Sequence, residues 1–205
     1  MTTNKPETEP KVFIIESLEF EDEDKNYFEG GIISEILRLS EIETKYYYVR
    51  TKKEFKKVLS FFKESNYRYL HISCHGGDNS IWTTFDEINN DKLGLLLKDL
   101  LYKKRLFLSA CSVVNEEIAK SIIPSSQCNS IIGPKNNIAF RDSAIMWAAF
   151  YHLMFNDDQD DSIVMSRAKL LKNLQKIVNT FEQPLEYFSI SKSKGIKNSL
   201  IKPKQ

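Results

Sequence analysis

The chain has 205 residues, 41% of them hydrophobic and 28% charged, with Lys and Arg (29) nearly balancing Asp and Glu (28). That content supplies a core for one domain, and a net charge of +1 gives no global reason to bind nucleic acid or an acidic membrane. Three cysteines do not make a disulfide framework, and no apolar run approaches the roughly 20 residues of a membrane-spanning helix. The polar start MTTNKPETEP is unlike a secretory leader, so a cytoplasmic protein is expected. Seven glycines are few for a dinucleotide-binding or all-β chain.

Residues 1–10 hold two prolines and no periodicity, and read as a flexible arm. Lys11–Ser17 is a short apolar run, suited to a strand buried on both faces. The acidic stretch Glu21–Asp24 reads as a solvated loop. Tyr27–Leu39 then places Phe28, Ile32, Ile36 and Leu39 at helical spacing. Thr44–Arg50 is aromatic and β-branched, a strand. Thr51 with Glu54 predicts a capping box for a helix that gathers Phe55, Val58, Leu59 and Phe62 on one side.

The alternation continues. Tyr67–Cys74 predicts a strand broken by His75-Gly76-Gly77, and Ser80–Phe85 a small strand or hairpin. Asp91–Tyr102 predicts a leucine-rich helix, Arg105–Ala110 a strand, and Asn115–Ile123 a helix stopped by Pro124. Ser130–Gly133 predicts a strand, Ala139–Phe155 a long apolar helix and Ser162–Asn179 an amphipathic one. Residues 186–205 carry five lysines and one acid, and read as a loose basic tail after a domain of 11–185. Strands separated by helices imply right-handed crossovers. The expected fold is therefore a three-layer α/β/α sandwich with a mostly parallel central sheet.

Sites in such sheets form beyond the carboxyl ends of the strands. His75 and Cys111 both fall there. If their strands are neighbours, an imidazole and a thiol share one crevice, which is what cysteine nucleophilic catalysis needs. The helix starting near Asn115 would add partial positive charge. The N–H groups of Gly76 and Cys111 could form an oxyanion hole. Other cysteine chemistries fit worse. A phosphatase loop needs Arg where Glu117 stands, and a nucleophile elbow needs glycines where Ser109 and Val113 stand. Downstream of Cys111 the one histidine is His152, inside a predicted helix. His71, Cys74 and His75 lack the second ligand pair of a zinc site.

Leu70-His71-Ile72-Ser73-Cys74-His75-Gly76 and Leu108-Ser109-Ala110-Cys111-Ser112 resemble the two strand-end motifs of caspase-like cysteine peptidases, especially the CHAT branch, related to caspases, separase and gingipains. The order His then Cys, 36 positions apart (111 − 75), also fits, as do Asp142 and Phe150-Tyr151 on the long helix. The resemblance covers residues 11–157. The caspase Gln-Ala-Cys-Arg-Gly signature is absent, the acid usual after the nucleophile is replaced by Ser112-Val113, and GPKNNI at 133–138 lacks the Trp common there.

The resemblance implies a cysteine endopeptidase with Cys111 as nucleophile and His75 as general acid and base, requiring no metal or organic cofactor. It implies a protein substrate, an activating protein partner, and a place in bacterial immunity or programmed cell death. Asp142 resembles the position that pairs with a substrate cation in basic-specific relatives, and equally suits a helix N-terminal acid. A pocket lined by Ile81, Trp82 or Ile138 would instead favour an apolar residue. His71, Cys74 and Cys128 read as structural. Two rivals stand beside this reading. One is a non-catalytic interaction module with a receiver-like acidic pocket at Glu21–Asp24, although His75 stands where a receiver wants Asp. The other is a pseudo-peptidase scaffold on the caspase fold.

Overall fold

The computed structural model describes residues 7–156, 164–191 and 195–204. Five adjacent parallel strands run from one edge of the main sheet: β1 (Glu9–Glu16), β2 (Thr44–Tyr48), β3 (Tyr67–Ser73), β7 (Arg105–Ser109) and β8 (Ser130–Pro134). Between β3 and β7, the short strands β4 (His75–Gly77), β5 (Ser80–Trp82) and β6 (Glu87–Asn89) make a separate antiparallel sheet. The antiparallel strands β9 (Leu185–Ser191) and β10 (Gly195–Ile201) complete the main sheet, whose order is β2-β1-β3-β7-β8-β9-β10.

The central strands read as continuous apolar runs because both faces are covered. On β1, Phe13 and Ile15 face one core layer while Val12 and Ile14 face the other. The first layer is closed by α3 (Lys52–Glu64), α4 (Asn90–Leu97) and α5 (Glu116–Ser126), and the second by α2 (Glu29–Leu39), α6 (Phe140–Phe155) and α7 (Arg167–Phe181). The expected three-layer sandwich is thus the observed one. The α3 capping box forms as expected: Thr51 Oγ1 accepts from the Glu54 N–H at 3.2 Å, and Glu54 Oε2 accepts from the Thr51 N–H at 3.0 Å. Such a cap contributes about 1 kcal/mol.

Four local expectations are corrected. Glu21–Asp24 is helical, part of α1 (Phe20–Asp24). The buried face of α2 is Gly30, Ile33 and Leu37, whereas Ile32 and Leu39 of the expected stripe are exposed. Helix α5 runs past Pro124. The ring removes one bond of the last turn, and Gln127, in the left-handed region at φ 57°, closes the end by donating to the Ile123 carbonyl. Finally, most of the stretch read as a basic tail is sheet. Leu185, Tyr187 and Phe188 are buried on β9, so apolar burial on both faces outweighs the surrounding lysines. Among the described residues no helix is long and apolar enough to cross a membrane.

Candidate active site

Ser73 and Ser109 are register partners at the ends of β3 and β7. The Cys74 N–H then donates to the Ser109 carbonyl at 3.2 Å, carrying the pairing one residue further. The topology therefore delivers His75 and Cys111 to the same end of two adjacent strands. The two strand ends come close at Gly76: a Cβ there would lie 2.7 Å from Ala110 Cβ, 3.3 Å from Cys111 N and 3.2 Å from Cys111 O. Glycine is required at 76 because any side chain would drive the two strand ends apart.

His75 opens β4 and pairs with Trp82 of β5. Its ring stands edge-on to Phe140 at 5.0 Å. Its Nε2 lies 2.6 Å from Asp22 Oδ2, a pair with 33% and 14% side-chain exposure. The carboxylate fixes the tautomer with the proton on Nε2 and leaves Nδ1 as the basic nitrogen. Sequence reasoning missed the Asp22 contact with His75. One signal was available: acids follow β1 at its carboxyl end, beside β3.

Asp22 is held by a pinned segment. Thr84 Oγ1 donates to the Leu18 carbonyl at 2.6 Å, and Glu23 receives bonds from Tyr48 and Arg50. Beyond it, α2 starts over a buried polar layer. Glu16 accepts from the Gly30 N–H at 2.8 Å and from the Tyr46 hydroxyl at 2.7 Å. His71 bridges Glu29 (3.2 Å) and Tyr151 (3.0 Å). Burial pushes the Glu16 carboxyl up to about 7, against the lowering effect of the Gly30 and Tyr46 donors. His71 is fully buried on the α6 side of the sheet, a structural role as expected.

Cys111 is half-buried, and its thiol lies 3.6 Å from the Ile138 carbonyl. Among the described residues it makes no hydrogen bond to His75. Ser112, next in the chain, sits at φ 54°, a strained conformation for a residue with a side chain, and its hydroxyl donates to Asn137 Oδ1 at 3.0 Å. The other thiols are enclosed. Burial pushes Cys74 well up and Cys128 up to about 12, so neither supplies a thiolate near neutral pH.

Two features expected at the site have other partners in the structure. Asn115 caps α5 by accepting from the Glu117 and Ile118 N–H groups, and Glu116 and Glu117 lie in its first turn. Asp142 lies in the first turn of α6, 52% exposed and paired with its neighbour Arg141 at 3.2 Å. Of the alternative pocket residues, Ile81 is core at 1% exposure, while Trp82 is half-buried beside Gly77. Glu19, Asp22 and His75 place ligand atoms within 4.8 Å of one another, the one such trio among the described residues. The close Asp22–His75 hydrogen bond already accounts for two of its members.

Behind Cys111, Ser109 Oγ bonds Ser143 Oγ at 2.8 Å and accepts from Trp147 Nε1 at 2.9 Å. These buried bonds lock α6 to the end of β7 and so place Phe140 against His75. An apolar groove of 760 Å³ between α2 and α6, lined by Tyr27, Ile32, Ile36, Phe140, Ala144 and Ile145, begins at that contact.

No protein-family model matches the sequence, and no curated protein matches it. Solved structures do: 46 chains match. One is a secreted C11 cysteine protease from Bacteroides thetaiotaomicron, aligned over 90% of this chain and 67% of that one with a TM-score of 0.60 and 10% identity. The fold is therefore shared with that C11 cysteine protease.

Proposed function

We propose that the chain is a caspase-like cysteine endopeptidase whose two strand-end motifs resemble those of the CHAT branch. The observation that carries this is the meeting of His75-Gly76 and Cys111 at one end of adjacent parallel strands, with Asp22 behind the imidazole. His75 Nδ1 takes the Cys111 proton, and the thiolate attacks the substrate carbonyl. The N–H groups of Gly76 and Cys111 receive the oxyanion. The imidazolium, steadied by Asp22, protonates the leaving amine as the C–N bond breaks. Water, deprotonated by the same nitrogen, then releases the acyl group and restores the thiol.

The resting thiol faces the Ile138 carbonyl rather than the imidazole. That supports a protein held inactive until an activating protein partner reshapes the 134–139 segment. A protein substrate in the cytoplasm, and a role in bacterial immunity or programmed cell death, complete the proposal. A peptidyl acyloxymethyl ketone tests it. Covalent labelling of Cys111 that is lost in His75→Ala supports the dyad. Equal labelling of the two proteins, or labelling elsewhere, rejects it.

A further inference from the structure

The amino ends of the strands, opposite His75 and Cys111, hold a second cavity of 880 Å³. Lys63, Arg68, Lys103, Lys104 and Arg105 line it. Glu7 and Asp99 line it too, yet among the described residues no carboxylate lies within ion-pair distance of any of the five cations. Two of the five are nine-tenths buried, Lys104 at 7% and Arg105 at 9% exposure. Arg105 donates to Ser130 Oγ at 2.7 Å and to the Met165 carbonyl at 3.1 Å. Lys104 has a 3.5 Å contact with the Ser65 carbonyl and lies 3.9 Å above the Phe62 ring. Desolvation alone lowers its ammonium to about 8.

Burying a cation without a counter-charge is costly, and proteins that do so present it to an anion. The two arginines sit on adjacent strands: Tyr69, next to Arg68, is the register partner of Arg105. Their guanidinium forks suit tetrahedral oxyanions, and the lysines add point charge. Five cations against two lining acids leave more positive charge than one phosphate neutralises. We propose that this pocket binds a small ligand bearing a chain of two or more phosphoryl groups. The site is separate from the dyad and needs no peptidase activity.

Isothermal titration of the whole chain with inorganic tripolyphosphate tests this, with citrate as a polycarboxylate control at matched ionic strength. One tripolyphosphate should bind per chain, at least about tenfold more tightly than citrate. Lys104→Met preserves the stem over Phe62 and removes the charge. It should weaken tripolyphosphate about tenfold to a hundredfold, the loss of one charge-assisted bond. Without ligand it should melt at the same or a higher temperature, since it deletes an uncompensated buried charge. Lys120→Met, on the exposed face of α5, should bind like wild type. No binding, equal binding of citrate, or unchanged affinity in a folded Lys104→Met protein overturns the proposal. So does binding that emerges only after Asp157, Asp158, Asp160 and Asp161 are replaced by Asn, since the pocket would then serve the chain's own acids.

Discussion

Asp22 Oδ2 and His75 Nε2 lie 2.6 Å apart although 53 positions separate them in the chain. The contact is made by α1, which folds back over the end of β3 after β1 leaves the sheet. A carboxylate in that place holds the ring and stabilises the imidazolium that forms during proton transfer. Asp22→Asn should lower kcat by roughly a hundredfold to ten-thousandfold while leaving KM within about threefold. Asp22→Glu should recover part of the loss. Loss of substrate affinity with unchanged kcat would assign Asp22 to binding instead.

The three cysteines should separate cleanly. Cys111→Ala and His75→Ala should abolish cleavage in folded protein. Cys74→Ala and Cys128→Ala should keep the chemistry and cost stability, about 1–2 kcal/mol each, because both thiols fill enclosed space. Iodoacetamide on the native protein should modify Cys111 alone, as read by peptide mass mapping. Cleavage by folded Cys111→Ala protein would remove the nucleophile from the mechanism.

Gly76 is the tightest point of the site. A methyl group there would meet Ala110 Cβ at 2.7 Å and crowd the Cys111 backbone. Gly76→Ala should destabilise by about 1–3 kcal/mol through overpacking and should also reduce the rate of Cys111 labelling. Urea denaturation and labelling kinetics measure the two effects separately. Wild-type values in both would show that the strand ends can part without consequence.

Asp142→Asn should do little. The carboxylate is 52% exposed and already faces Arg141, so its interaction with the α6 dipole is worth about 1 kcal/mol or less. The order of preference in a peptide-library cleavage profile should stay as in wild type. A selective collapse of cleavage after Arg or Lys would place Asp142 in the substrate pocket.

The central strands and the placing of His75 and Cys111 at adjacent strand ends were legible because each rests on a local signal. Lys11–Ser17, Tyr67–Cys74 and Arg105–Ala110 are apolar runs that only a doubly covered sheet can use, and His75 and Cys111 follow such runs directly. What escaped depended on long-range company. Asp22 looks like one more solvated acid until α1 brings it to His75. Ile32 and Ile33 are equally apolar, and only the packing of Gly30 against Ile14 decides which faces the sheet. Leu185–Ser191 was obscured by its basic neighbours, although its pairing with β8 buries it.

Glu16 should make stability depend on pH. Its carboxyl is lifted by burial from an ordinary 4.5 to about 7, so the folded chain holds this proton more tightly than the unfolded chain. The stability linked to it is complete below about pH 4.5 and is lost as pH rises towards 7. A rise of that size corresponds to about 3 kcal/mol. The groups around it are Glu29, which shares the buried layer and raises it further, and the Gly30 N–H and Tyr46 hydroxyl, which favour the anion. Glu16→Gln keeps an acceptor for Gly30 and removes the titration. Urea unfolding from pH 5 to 8 should therefore show the variant gaining on wild type as pH rises, by up to about 3 kcal/mol, with most of the change before pH 7. Parallel curves for the two proteins would mean that Glu16 stays ionised in the folded state, with the Gly30 and Tyr46 donors outweighing its burial.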